Sequence, residues 1–197
     1  MIKRIFDFFC SLIGIFIFSP ILLIVSILIK IGSSGPVIYC STRIGKNKKP
    51  FKLYKFRTLV ANADKIGGPS TSNNDPRITK LGKILRKYKL DELPQLFNVI
   101  KGDMSLVGPR PEVPEYAKLY TKKEEIIFKI KPGITDYASL WNSDEGNILK
   151  NSLDPEKTYL EKIRPQKVKL QIKYFNEKSF LKDLIIILKT FKKIINH

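Results

Sequence analysis

Histidine and cysteine are almost missing from this 197-residue chain: the one histidine is the last residue, His197, and the cysteines are Cys10 and Cys40. A Ser-His or Cys-His hydrolase and a histidine-ligated metal centre cannot be built around one terminal histidine. Two cysteines are too few for a disulfide scaffold or a cysteine-rich zinc site. Acidic residues are scarce as well, 18 against 36 Lys and Arg, for a net charge of +18. That balance calls for an anionic partner: nucleic acid, anionic lipid or a phosphorylated substrate. Arginine is the minority cation, only Arg4, Arg43, Arg57, Arg77, Arg86, Arg110 and Arg164. Lysine is used where plain charge suffices, so each arginine marks either a geometric demand or a surface ion pair. Carboxylates, lysines, arginines and magnesium remain as the working groups.

What the chain has in excess is one apolar run. Phe8 to Ile29 is 22 residues without a charge, long enough to cross a hydrocarbon core about 30 Å thick as a helix. No small-residue cleavage site follows it, so it reads as a membrane anchor rather than a signal peptide. Lys3 and Arg4 precede it, and Lys30, Arg43, Lys46, Lys48, Lys49, Lys52, Lys55 and Arg57 follow it. Both flanks are therefore cytoplasmic by charge bias. Hydropathy alone favours a kinked single-pass helix. Ser19-Pro20 at the midpoint, where proline breaks a helix and a serine hydroxyl can bond the freed carbonyl, fits a re-entrant one.

The stretch from Leu90 to Pro111 carries the chemistry. Leu93, Leu96, Phe97 and Ile100 recur at helical spacing, which predicts a short amphipathic helix from about Glu92 to Val99 with Pro94 in its first turn and Asp91 at the N-cap. A helix N-terminus keeps a carboxylate ionised and attracts phosphate, so Asp91 is either a simple cap or a nucleophile. Pro109 and Pro111 fix the backbone around Arg110, and a guanidinium held this way suits a two-pronged phosphate contact. Arg86 lies about one helical turn upstream of the carboxylates and can reach the same phosphate.

Around that stretch, Val37 to Thr42 and Phe51 to Thr58 read as strands joined by a turn over 45–50. Thr71 to Arg77 reads as a polar loop, and Ile78, Leu81, Leu85 and Tyr88 mark a basic amphipathic helix. Glu115 to Ile130 reads as largely helical and ends at the Lys131-Pro132-Gly133 turn. Asp154 caps a helix that opens at Pro155 and runs to about Ile163. Lys167 to Tyr174 fits a strand or a helix. Leu181, Leu184, Ile185, Leu188 and Phe191 form an apolar helix face flanked by lysines, which either lies in lipid headgroups or packs on the core.

The ordered set Lys3-Arg4-Ile5-Phe6-Asp7, Ser19-Pro20, Lys55-Phe56-Arg57-Thr58, Leu90 to Val99, Lys101-Gly102-Asp103-Met104-Ser105, Val107 to Pro111 and Lys131-Pro132-Gly133-Ile134-Thr135 resembles the bacterial sugar transferase family, the monotopic phosphoglycosyl transferases that act on polyprenol phosphate. In length the chain is similar to the small members that consist of the catalytic domain alone. After Thr135 it departs from the better-known members, reading Asp136-Tyr137-Ala138-Ser139 where many carry Gly-Trp-Ala-Gln.

The resemblance implies an α+β, mostly helical fold. Residues 1–31 would be a re-entrant membrane helix-hairpin broken at Ser19 and Pro20, and residues 32–197 a membrane-associated catalytic domain with a short β-hairpin and amphipathic interfacial helices. It implies transfer of a sugar 1-phosphate from a UDP-sugar to undecaprenyl phosphate at the cytoplasmic face of the bacterial inner membrane, beside anionic lipids, with release of UMP. By the same resemblance Asp91 is the nucleophile of a covalent phosphosugar intermediate and Glu92 the Mg²⁺ ligand. Arg110, Arg86, Lys55 and Arg57 would bind phosphate, with no nucleic acid partner beyond the nucleotide sugar. Two rivals fit the charge: a non-catalytic membrane-tethered protein binding anionic lipid or nucleic acid, and a membrane-bound hydrolase of nucleotide diphosphates. Neither the sugar nor the oligomeric state is legible.

Overall fold

In a computed structural model of the chain the described residues are all except 64–65, 67–73, 143–147, 150–151 and 196–197. Residues 71–73 of the Thr71 to Arg77 loop and His197 therefore lie outside them. The chain opens with helix α1 (Ile2–Gly32) and a hairpin of β1 (Ile38–Ile44) and β2 (Pro50–Phe56). Helices α2 (Lys80–Lys87) and α3 (Gln95–Lys101), the short strand β3 (Ser105–Val107) and α4 (Pro114–Ala117) follow. Strand β4 (Gly133–Thr135), α5 (Tyr137–Trp141), α6 (Pro155–Thr158), α7 (Arg164–Glu177) and α8 (Phe180–Ile195) complete it. The expected mostly helical α+β architecture is what is found.

Helix α1 is the one helix among the described residues long and apolar enough to cross a membrane. Its backbone stays helical through Pro20, which lies inside a single helix rather than between two. The local chemistry explains how. Proline has no N–H for the carbonyl four residues back, that of Phe16, and the Ser19 hydroxyl donates to this carbonyl at 2.8 Å. The freed acceptor is thus satisfied without water. Phe9, Phe16, Ile17, Leu23 and Ile24 project from α1 fully enough to form an exposed apolar belt, so the protein associates with a membrane.

Both ends of α1 are fastened to the domain. At the start, Lys3 pairs with Asp183 of α8 at 2.5 Å. Arg4 donates to the carbonyls of Val99 and Ile100 in the last turn of α3, the latter at 2.7 Å; Val99 O also accepts the Gly102 N–H. Asp7 accepts from Ser105 Oγ at 2.7 Å. Lys3 and Arg4, read from sequence as topogenic charge, are also specific docking groups. At the far end Val25 and Ile29 pack on Phe56 and Leu85. There Arg57 donates from Nη1 to Ser34 O at 2.6 Å and from Nη2 to Ser33 O at 2.9 Å, closing the helix terminus.

The hairpin matches its expected position, with Lys55 opposite Tyr39 and Phe51 opposite Arg43. The parallel pair β3–β4 carries no alternation to announce it. It depends on Gly108 and Gly133, where a Cβ on Gly133 would stand 2.0 Å from the Gly108 nitrogen. The Glu115 to Ile130 segment is less helical than its pattern predicts: α4 stops at Ala117 and a 3-10 stretch spans Glu124–Lys129. Asp154 caps α6 as expected, accepting from Glu156 N and Lys157 N. The helix then continues past Ile163 through a π-helical turn at Tyr159–Ile163 into α7, which settles Lys167 to Tyr174 as helix. The central core joins Val107, Tyr174 of α7 and Ile186 of α8.

On α8 the inward face is Asp183, Ile186, Ile187 and Thr190, whereas Leu181, Ile185, Leu188 and Phe191 are exposed. Most of the apolar face marked from the sequence therefore points away from the core. Phe180 at its start meets Phe6 of α1 edge to face at 5.1 Å, so this exposed face adjoins the apolar surface of α1.

Candidate active site

The Asp-Glu pair sits in a 3-10 turn, Leu90–Glu92, and not at the start of α3. Pro94 precedes α3 with no side-chain cap, so Asp91 is not the N-cap that the periodicity predicts. Tyr88 ends α2, Lys89 takes a left-handed φ of 57°, and that reversal turns the next two side chains inward. Asp91 is 7% exposed, and its carboxylate makes no hydrogen bond to the described residues. Burial pushes its pKa up, opposed by the charges of Lys55, Arg86 and Lys89, while neighbouring Glu92 adds to the rise.

Glu92 is bonded in the opposite sense. Lys55 Nζ reaches its Oε1 at 2.7 Å, while Arg110 holds it with both arms, Nη1 to Oε2 at 3.2 Å and Nη2 to Oε1 at 2.5 Å. Against the cost of burial, Arg110 and Lys55 hold the Glu92 carboxyl well below the usual carboxylate range. Two adjacent carboxylates are thereby set apart, one ionised and clamped, the other raised and unbonded, a contrast that marks functional sites.

The surrounding side chains are placed by backbone contacts that the sequence reading missed. Asn98, fully buried, accepts from Tyr54 N at 3.0 Å and donates to Lys52 O at 2.7 Å. It fills the place of a paired strand on β2, fixing α3 against the strand that carries Lys55. Asp136, also fully buried, caps α5 by accepting from Ser139 N at 2.7 Å and accepts the Arg110 N–H at 3.3 Å. From the other side Gln171 Nε2 donates to Arg110 O at 3.4 Å. The proline-braced arginine is therefore held through its main chain as well. Asp136 lies in the segment that departs from the better-known members, and an aspartate directly before a helix was the one available signal for its capping role.

Arg86 donates from Nε to Thr58 Oγ1 at 2.9 Å. Its helix can come this close because position 82 is glycine: a Cβ there would be 2.1 Å from the Thr58 carbonyl oxygen. Lys55, Arg86 and Arg110 thus gather at the carboxylates as the sequence reading expects. Arg57 does not; its guanidinium is spent on the end of α1, where it tethers the anchor.

Among the described residues no cluster of three or more acidic, histidine or cysteine side chains is present. A divalent ion would have Asp91 and Glu92 as its carboxylates. That set fits magnesium, which keeps several waters and takes other ligands from substrate phosphates.

A buried carboxylate with no hydrogen bond among the described residues thus sits among Lys55, Arg86 and Lys89, on a domain that carries a long apolar helix. The chain belongs to the bacterial sugar transferase family, whose model matches residues 1–197. It is 35% identical over 199 residues to the UDP-N-acetylgalactosamine-undecaprenyl-phosphate N-acetylgalactosaminephosphotransferase of Aeromonas hydrophila, covering 98% of this chain and 44% of that one. It is 37% identical over 201 residues to the UDP-glucose:undecaprenyl-phosphate glucose-1-phosphate transferase of Escherichia coli, covering 100% and 41%. With the uncharacterized sugar transferase EpsL of Bacillus subtilis it shares 36% identity over 195 residues, 99% of this chain and 88% of the relative. The chain thus spans less than half the length of the first two relatives.

Proposed function

We propose that this protein transfers a sugar 1-phosphate from a UDP-sugar to undecaprenyl phosphate at the cytoplasmic face of the bacterial inner membrane. The observation that carries the reading is Asp91: a buried carboxylate with no hydrogen bond among the described residues, beside a second carboxylate clamped by Lys55 and Arg110. In this reading Asp91 attacks the β-phosphorus of the donor, an Asp91 oxygen–phosphorus bond forms, and the bond to the α-phosphate oxygen breaks to release UMP. A phosphate oxygen of undecaprenyl phosphate then attacks the same phosphorus and restores the Asp91 carboxylate. Two displacements let a water-soluble donor and a membrane-bound acceptor use one site in turn.

Lys55, Arg86 and Arg110 neutralise phosphate oxygens whose charge would otherwise repel the incoming carboxylate. Burial makes Asp91 a stronger base and leaves it no bonds to break before attack. A magnesium ion held by Glu92, with Asp91 beside it, would supply Lewis-acid charge at the diphosphate. Fastening of both α1 ends to one domain supports a re-entrant path for residues 1–31, and the exposed face of α8 supports contact with anionic lipid headgroups.

The test is incubation of the purified protein with a panel of UDP-sugars, Mg²⁺ and undecaprenyl phosphate. Lipid-dependent UMP release with formation of a lipid diphosphate sugar is the expected result. Lipid-independent release would instead indicate a hydrolase, and silence with every donor a non-catalytic binder.

A further inference from the structure

Arg43 is the one arginine of β1, and the register of the hairpin fixes the side it occupies. Tyr39, Ser41 and Arg43 alternate onto the same side as their partners Lys55, Leu53 and Phe51. This is the side on which Lys55 reaches Glu92. Next to Arg43, the Ile44 N–H donates to Glu112 O at 2.9 Å, two residues beyond Arg110, which brings the end of β1 against the Pro-Arg-Pro segment. Arg110 is close enough to oppose the positive charge of Lys55 and of Arg43 alike.

Glu112, the acid whose charge acts on Arg43, is already committed. Glu112 is buried and accepts Lys167 Nζ at 2.5 Å, with the Tyr159 hydroxyl at 3.4 Å. Among the described residues the half-buried Arg43 guanidinium makes one hydrogen bond, a long one of 3.3 Å from Nε to Ser41 Oγ. Neither of its terminal NH₂ groups has a hydrogen-bond acceptor among the described residues. A desolvated guanidinium with two unanswered donor groups, next to a phosphate-chemistry site where cations outnumber carboxylates, is suited to a bidentate phosphate contact.

We propose that Arg43 binds a substrate phosphate adjacent to the one engaged at Arg110, so that Lys55, Arg110 and Arg43 form a cationic row along the hairpin matched to two neighbouring phosphates. The assignment rests on the transferase reading and adds a residue to it. The phosphate is carried either by the nucleotide, as the one that leaves on UMP, or by the polyprenyl acceptor.

Equilibrium dialysis of the full-length protein and of Arg43→Gln and Arg43→Lys, with UMP and separately with farnesyl phosphate as probes, decides the matter whether or not the right sugar has been found. At least tenfold weaker binding of UMP to Arg43→Gln, with partial recovery in Arg43→Lys, places the contact on the nucleotide; the same loss for farnesyl phosphate places it on the acceptor. Unchanged binding of both probes by folded variants overturns the assignment, as does failure of the unsubstituted protein to bind either. In turnover assays the KM of the corresponding substrate should rise by a similar factor. If the unsubstituted protein binds the probes but transfers no sugar, the transferase reading fails while the Arg43 contact stands or falls on dialysis alone.

Discussion

Arg110 grips Glu92 through both terminal nitrogens, while its own main chain is held by Asp136 on one side and Gln171 on the other. Arg110→Met removes the clamp while keeping much of the bulk. The variant should lose at least about 100-fold in kcat/KM, in the range seen when a transition-state charge contact is removed. It should also lose about 1–3 kcal/mol of stability, the cost of stripping a partner from a buried acceptor. Denaturant unfolding alongside steady-state assays checks both.

Asp91→Asn should abolish turnover and covalent labelling by donor while leaving the protein folded and no less stable at neutral pH. A group whose folded pKa is raised destabilises the native state once it ionises, so Asp91 costs stability as pH rises from the unfolded carboxylate value of about 3.9 through its own higher one. Removing the charge removes that cost. A transfer rate near that of the unsubstituted protein would end the nucleophile assignment.

The two carboxylates should leave opposite marks on a pH titration. Glu92, with its pKa lowered, contributes stability that is present above the unfolded value of about 4.3 and is lost as pH falls toward its folded one. Activity, by contrast, should decline on the acid side as Asp91 takes up its proton, at a pH above that of an ordinary aspartate. Melting temperature and initial rate measured across the same buffers should therefore diverge, and Glu92→Gln should flatten the acid slope of the stability curve.

Asn98→Leu leaves Lys52 O and Tyr54 N, both part-buried, without their partner and is predicted to cost about 2 kcal/mol, the low end of about 1–3 for each group. Asn98→Asp keeps an acceptor for Tyr54 N but sets a buried carboxylate against Lys52 O and the Asp103 carboxylate, and should cost more at neutral pH than Asn98→Leu. Chemical denaturation of the three proteins gives the order directly, and equal stability of all three would refute it.

For the anchor, single cysteines at positions 2 and 46 in a cysteine-free background should both be labelled from the cytoplasmic side and protected from the periplasmic side. Labelling of residue 2 from the periplasm would rule out the re-entrant path. Ser19→Ala, which strips the Phe16 carbonyl of its donor in an apolar setting, should lower stability by about 1 kcal/mol.

The membrane helix, the hairpin, the α2 helix and the Asp154 cap were legible in the sequence because each is a local pattern: an uncharged run, two short β-rich segments around a turn, helical spacing, and a capping residue before proline. The gathering of Lys55, Arg86 and Arg110 around Asp91 and Glu92 was legible through ordered motifs. Local pattern failed where long-range contacts decide. Helical spacing puts Asp91 at the N-cap of α3, but the left-handed turn at Lys89 sets it in a 3-10 turn ahead of that helix and directs it inward. Arg57 shares the Lys55-Phe56-Arg57-Thr58 motif with Lys55, but it lies just past the end of β2 and its guanidinium is held by Ser33 and Ser34 at the end of α1, a contact 23 and 24 positions away that the motif does not record. The β3–β4 pair, the strand-like bonds of Asn98 and the Asp136 contact to Arg110 join residues from 26 to 46 positions apart; no periodicity records them. Sequence alone thus determined which residue types are available for chemistry and that the chain meets a membrane, since composition and a 22-residue apolar run follow directly from it. Only the tertiary structure decided which carboxylate is clamped and which is left bare, because that depends on where separate elements bring their charges in a shared, poorly solvated interior.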